Sequence, residues 1–236
     1  LQKKNIEICL SPELIHLHDI TGKSVVIVDI FRATSTIVTA LANGVLSMTP
    51  IVNLEKCKSM SDKGYIIAGE RNGNKEDGFE LGNSPLAYLN GVYDGKKIAM
   101  TTTNGTIAIE KSKSGSSEIL IGSFLNLQTT ANYLLEKEND VLILCAGWKG
   151  KFNLEDSLYA GALSSKLSNY FEIEDDAIFA LKNLYEQNSK HLRLFLNQAS
   201  HVKRLQNQNI EKDIDFCLQV DTYTILPKLK GDELVL

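Results

Sequence analysis

The sequence predicts an α/β fold, a layered α/β/α arrangement with mostly parallel strands and an active site at the carboxyl edge of those strands. Three observations predict it. Aliphatic runs such as Val25 to Val28 and Val141 to Leu144 read as strands covered on both faces. Each run leads into a small polar turn and then into helical spacing, and this unit recurs four times along the chain. In an open α/β sheet such turns gather where ligands bind, so residues 29 to 36, 101 to 106, 123 to 126 and 145 to 156 are expected to share one cleft.

The chain of 236 residues is long enough to bury a sizeable core, and its 43% hydrophobic and 23% charged content is ordinary for a globular protein. A net charge of −4 leaves no electrostatic footprint for nucleic acid, so any anion site is local. No apolar stretch is long enough to span a bilayer and the first residues lack a signal-peptide layout, which favours the cytoplasm over a membrane. We expect one α/β domain over residues 1–236, in which residues 170–236 form a less regular C-terminal extension of helices and strands. Apolar positions on the last helices suit either core or the face of a homodimer.

Taken in order, Asn5 to Leu10 reads as a short strand. His16, His18 and Asp19 follow in a loop-like stretch that suits solvent better than a metal. Val25 to Val28 ends in Asp29, and Ile37, Val38, Ala40 and Leu41 give an amphipathic helix closed by Asn43-Gly44. Arg32, Thr34, Ser35 and Thr36 crowd its start, where free N–H groups and the helix dipole attract an anion and a guanidinium adds a clamp. A carboxylate beside an anion repels it unless a cation lies between them or the acid is protonated, so Asp29 points to a divalent metal. The plainer reading makes Asp29 a helix cap.

Ser47 to Val52 reads as a strand, Asn53 to Lys63 as a polar helix, and Tyr65 to Ala68 as a third strand. It runs into an irregular segment from Gly69 to Pro85, anchored by Phe79 and Leu81 and headed by Glu70 and Arg71. Lys97 to Met100 leads to Thr101-Thr102-Thr103-Asn104-Gly105-Thr106, a turn rich in hydroxyls and N–H groups that lacks the lysine of a nucleotide P-loop. Glu118 to Ile121 precedes Ser123 and Asn126. Asp140 to Leu144 precedes Cys145-Ala146-Gly147, and Glu155-Asp156 open a helix through Leu167, complementing its dipole or joining Asp29 around a hard cation. Ala177 to Asn188 and His191 to Ala199 carry helical spacing. His201 reads as a satisfied or surface histidine, Asp215 to Val220 and Tyr223 to Leu226 look extended, and an apolar tail follows Pro227. Cys9, Cys57, Cys145 and Cys217 are too widely spaced for a zinc site; Cys145, at a strand end, is either a buried thiol or a catalytic one.

These segments together resemble the 2-phosphosulfolactate phosphatase family. The carrying residues are Val28-Asp29 with Arg32-Ala33-Thr34-Ser35-Thr36, Gly69-Glu70-Arg71 through Gly78-Phe79, Leu81-Gly82-Asn83-Ser84-Pro85, the Thr101 to Thr106 turn, Gly122-Ser123-Phe124 with Asn126, and Cys145-Ala146-Gly147 with Leu154-Glu155-Asp156 and Ala160-Gly161-Ala162. The resemblance covers nearly the whole chain and is weakest after about Tyr170. It implies a magnesium-dependent phosphoric monoester hydrolase that releases phosphate from (R)-2-phospho-3-sulfolactate in coenzyme M biosynthesis. A phosphatase of another small phosphorylated hydroxy acid and a non-catalytic anion-binding module are the competing readings. On this basis Asp29, Arg32 and Asp156 are expected to be catalytic, and Asp29, Glu70, Glu155 and Asp156 to hold Mg2+. Thr34, Ser35, Arg71, Thr102, Thr103, Asn104, Gly105, Ser123 and Asn126 are expected to bind the sulfonate or carboxylate substrate. Water held by the cation, Asp29 and Cys145 stay open as the attacking group, with water preferred.

Overall fold

The computed structural model describes residues 4–206 and 210–236. The Asn/Gln-rich run after His201 therefore falls partly outside the described residues, at 207–209. The first half of the chain forms β1 (Lys4–Cys9), β2 (Ser24–Val28), α1 (Ala33–Ala42), β3 (Ser47–Pro50), α2 (Leu54–Lys58), β4 (Ile66–Arg71), β5 (Asn74–Lys75), β6 (Lys97–Thr101) and α3 (Gly105–Ser112). Next come β7 (Glu118–Gly122), α4 (Leu127–Glu136), β8 (Val141–Cys145), α5 (Leu154–Leu167), β9 (Phe171–Glu172) and α6 (Asp176–Asn188). The chain closes with α7 (Leu192–Leu196), α8 (Ser200–Gln206), α9 (Glu211–Cys217), β10 (Lys228–Lys230) and β11 (Glu233–Val235).

The strands make one sheet in the order β5-β4-β6-β3-β11-β10-β7-β2-β8-β1-β9. Its centre is β2, parallel to β7 on one side and to β8 on the other, with Val26 opposite both Leu120 and Ile143. All five β2 residues are buried. Side chains alternate across a strand, so Val25 and Ile27 enter one core while Val26 and Val28 enter the other. The first core takes the apolar faces of α1 and α3, through Ile37, Val38, Leu41 and Ile109. The second takes α4, α5 and α6, through Leu134, Leu158, Leu163 and Ile178. This is the layered, mostly parallel α/β/α sheet that the four repeated units predict.

α5 and α6 approach closely at Gly161, where a Cβ would stand 2.1 Å from the carbonyl oxygen of Leu181. Backbone cannot yield at that distance, so the glycine is required by the approach of the two helices.

Two expectations for the end of the chain are corrected. Asp215 to Val220 is not extended: α9 runs through Cys217, because Ile210, Ile214, Cys217 and Leu218 recur at helical spacing and turn one face to the core. Tyr223 to Leu226 forms no strand, although the Tyr223 N–H is tied to the Leu125 carbonyl at 2.8 Å. The tail after Pro227 is a hairpin, β10 and β11, with Gly231 at the positive φ that a two-residue turn requires. It enters the middle of the sheet antiparallel, Lys228 opposite Leu120 of β7 and Leu234 opposite Met48 of β3. Two shorter differences lie upstream. The helix expected over residues 53–63 splits into α2 and a 3-10 turn, and the Gly69 to Pro85 segment begins by folding back as β5 on β4.

Replacing Gly161 by alanine is expected to lower the unfolding free energy by about 1–3 kcal/mol, the usual cost of overpacking. Urea denaturation measures it; an unchanged midpoint would show that α5 and α6 separate freely.

Candidate active site

Asp29 follows the last residue of β2 and turns back onto the start of α1. Its carbonyl accepts the Thr34 N–H at 3.0 Å, and its carboxylate accepts the Ala33 N–H. The Thr34 hydroxyl bonds the Asp29 carbonyl, and the Ser35 hydroxyl bonds the Ile30 carbonyl and meets Ser123 Oγ at 3.1 Å. Asp29 itself thus fills the helix start where an anion was expected. Gly105 is close by, since a Cβ there would lie 2.9 Å from Asp29 Oδ2.

Glu70, near the end of β4, fills the threonine turn in the same way. Its carboxylate accepts the Thr103 hydroxyl at 2.9 Å, the Thr103 N–H at 3.3 Å and the Gly73 N–H. Thr102 Oγ1 accepts the Thr106 N–H inside that turn at 3.1 Å.

A small cavity lies at this edge of the sheet. Asp29, Glu70 and Arg32 line it, with the amides of Asn83 and Asn104. Phe31, Trp148, His201 and Leu205 give its ring and aliphatic wall. Asn104 Oδ1 accepts the Lys149 N–H at 3.0 Å, which leaves the amide N–H groups for the cavity. Arg32 reaches the cavity already paired: Nη1 bonds buried Asp213 of α9, and Nη2 donates to the Gly73 carbonyl at 2.9 Å. Ser84 donates to the other Asp213 oxygen at 2.7 Å.

The two acids that open α5 have separate partners. Asp156 Oδ1 accepts the Ile30 N–H at 2.8 Å, and Oδ2 accepts the Gly147 N–H at 3.1 Å and Asn153 Nδ2 at 2.8 Å. Asp156 therefore ties the end of β2 to the turn after β8. Glu155 Oε1 accepts Asn153 Nδ2 at 3.0 Å and pairs with His201 Nδ1 at 2.5 Å. Glu155 Oε2 is buried without a partner among the described residues, as are Nε and Nη2 of Arg204, whose guanidinium lies 4.5 Å over the Trp148 ring.

Burial, first of all, and then the charges of Glu70 and Glu155 push the Asp29 carboxyl up to about 7, against the pull of His201 and the Ala33 N–H. Burial and the charges of Asp29 and Glu155 hold Asp156 well above the ordinary carboxylate range. Acids crowded in this way at a cavity suit a hard cation. Asp29 and Glu70 are the two that face it, and Mg2+ is commonly held by one or two carboxylates together with substrate phosphate. Among the described residues no cluster of three or more His, Cys, Asp or Glu side chains forms a ready-made metal cage.

The expected site residues thus divide by position. Asp29, Arg32, Glu70 and Asn104 come together on one cavity, with Gly105 and Thr103 behind two of them. Arg71 turns elsewhere, to the carbonyls of Glu70 and Val52 and to Thr101 Oγ1. Ser123 and Asn126 form a buried capping box, and Asn126 Nδ2 also holds the Ile121 and Ile225 carbonyls. The turn at 123–126 therefore lends no residue to the cavity lining. Cys145 is fully buried in the core, its thiol pushed well above its ordinary range by burial and by Asp156. His16 and His18 bond the Glu13 carbonyl and the Glu7 carboxylate.

Of the two readings of His201, surface or satisfied, the structure bears out the second: it is only 4% exposed and paired with Glu155, and it also lines the cavity. Asp213 carries no such expectation, whereas Trp148 lies in the 145 to 156 stretch expected at the cleft and Asn83 in the Leu81 to Pro85 motif. The one local signal for Asp213 is helical spacing in α9.

A carboxyl whose folded pKa exceeds its unfolded value favours the folded state while protonated. Asp29 is therefore expected to take up to about 4 kcal/mol of stability from the metal-free protein as pH rises from about 4 through about 7, and Asp156 adds to the fall in the same direction. Asp29→Asn should remove the Asp29 share of that slope, leaving the share of Asp156, and exceed the wild type in stability near pH 8, as measured by urea denaturation with chelator present. An unchanged slope in the variant would refute the assignment to Asp29. Asn126→Ala should cost about 2–4 kcal/mol in the same measurement, from several buried groups left unpaired, with KM unchanged if the residue only supports the fold.

The sequence profile of the family described as 2-phosphosulpholactate phosphatase matches residues 9–232. Similar proteins include the probable 2-phosphosulfolactate phosphatase of Thermotoga maritima, 42% identical over 220 residues, which cover 91% of this chain and 92% of that protein. The correspondingly named protein of Caldanaerobacter subterraneus is 40% identical over 90% of both chains. That of Clostridium tetani is 36% identical over 96% of this chain and 98% of its own.

Proposed function

Because the chain belongs to the 2-phosphosulpholactate phosphatase family, we propose that it is a magnesium-dependent phosphoric monoester hydrolase converting 2-phospho-3-sulfolactate to sulfolactate and inorganic phosphate. The observation that carries this reading is the pair of buried carboxylates, Asp29 and Glu70, facing one small cavity at the carboxyl edge of the sheet. A phosphate dianion does not enter beside such acids unaided. Asp29 and Glu70 would hold Mg2+, which supplies charge neutralisation and polarises phosphoryl oxygens when bound.

The remaining work falls to the chain's own side chains. The amides of Asn83 and Asn104 offer neutral donors to an anionic oxygen. Arg32 brings positive charge to the wall, held in place by Asp213 and the Gly73 carbonyl. Leu205, Trp148 and Phe31 restrict bulk water on the remaining side, which strengthens every charge interaction inside. Among the described residues no helix is long and apolar enough to cross a membrane.

Phosphate release from phosphosulfolactate, phospholactate and phosphoglycolate, with magnesium and with chelator, tests the reading. Release is expected to require magnesium, to favour phosphosulfolactate, and to fall by roughly 10²-fold or more in Asp29→Asn. Turnover that ignores chelator would overturn the cation, and turnover of the other esters alone would overturn the substrate.

A further inference from the structure

We infer that His201 is the proton donor to the leaving oxygen of the phosphoester, with Glu155 as the positioning residue that holds it; this rests on the phosphatase reading above. The imidazole stands on α8 and lines the cavity that Asp29 and Glu70 face. Its Nδ1 pairs at 2.5 Å with Oε1 of fully buried Glu155, which is fixed in turn by Asn153. With Nδ1 so held, Nε2 is the nitrogen left for the cavity.

The ring plane is set from two further sides. Phe31 meets it edge-on at 6.2 Å and Trp148 tilts against it at 5.0 Å. The charged groups around it are Glu155 on α5, Asp29 after β2, and Arg204 on its own helix, stacked on the far partner Trp148. A carboxylate, an imidazole and a cavity in that order make an oriented proton donor, the arrangement general acid catalysis requires. A histidine present only for packing needs neither the buried carboxylate nor access to the cavity.

The reaction has a place for such a donor. Water oxygen bonds to phosphorus while the phosphorus–ester oxygen bond breaks, its electron pair staying on the ester oxygen. That oxygen is a secondary alkoxide of a hydroxy acid, a poor leaving group unless protonated. His201 Nε2–H passes it a proton, giving the free hydroxyl; the attacking water sheds one proton to solvent, and His201 takes one back from solvent, so the protons balance. No atom changes oxidation state, and no co-reactant is needed.

The experiment compares wild type, His201→Gln and Glu155→Gln on phosphosulfolactate and on phenyl phosphate with magnesium, recording kcat and KM, with folding checked by circular dichroism and product affinity by calorimetry. His201→Gln should lose about 10²–10⁴-fold in kcat with KM within a few-fold, and far less on phenyl phosphate, whose leaving oxygen has little need of a proton. Glu155→Gln should move kcat in the same direction by a smaller factor, which keeps the test decisive if the histidine variant misfolds. A kcat within threefold of wild type, or an equal loss on phenyl phosphate in a folded variant, would overturn the role of His201. Wild type that releases no phosphate from phosphosulfolactate would overturn the phosphatase reading itself, a result visible before any variant is compared.

Discussion

Burying like charges side by side is the constraint on which the rest of this structure depends. Asp29, Glu70, Glu155 and Asp156 are all at most 6% exposed, and each raises the cost of ionising a neighbour. The sheet meets that cost with N–H donors. Ile30 and Gly147 donate to Asp156, Gly73 and Thr103 to Glu70, and Ala33 to Asp29, so chain ends and turns that would otherwise need solvent serve the acids instead. Only parallel strands with their turns at one edge put so many donors in one place. What the donors leave uncompensated, on Asp29 and Glu70, faces the cavity.

The repeated strand, turn and helix unit was legible because it is local. Val25 to Val28 announces a strand buried on both faces, and the alternation of those residues between the two cores is what such a run requires. Asp29 and Glu70 were legible for a related reason, as acids at strand ends in a fold that binds ligands there. The hydroxyls of Thr34, Ser35 and Ser123 were not. A buried hydroxyl serves a ligand or a carbonyl equally well by composition, and here the carbonyls of Asp29 and Ile30 claim two of them.

Distance explains the other gaps. Arg32 meets Asp213, which lies 181 residues further along, and Glu155 meets His201 across 46 residues. Neither acid nor histidine carries a local mark of its partner. The single histidine in a polar stretch reads as surface or satisfied until α8 is seen against the cavity wall. Arg32 shows the reverse error, since a guanidinium at a helix start suggests a free clamp until its acid is found.

The hairpin of β10 and β11 has a consequence for how the molecule is made. It stands between β3 and β7, so until residues 228–235 leave the ribosome the sheet is two separate ribbons, each with a raw strand edge in the future centre of the fold. Unpaired edges of that kind pair readily with other chains. Synthesis halted before this point therefore yields a polypeptide that has every acid of the site yet carries two adhesive seams, and its natural fate is association or degradation instead of partial activity.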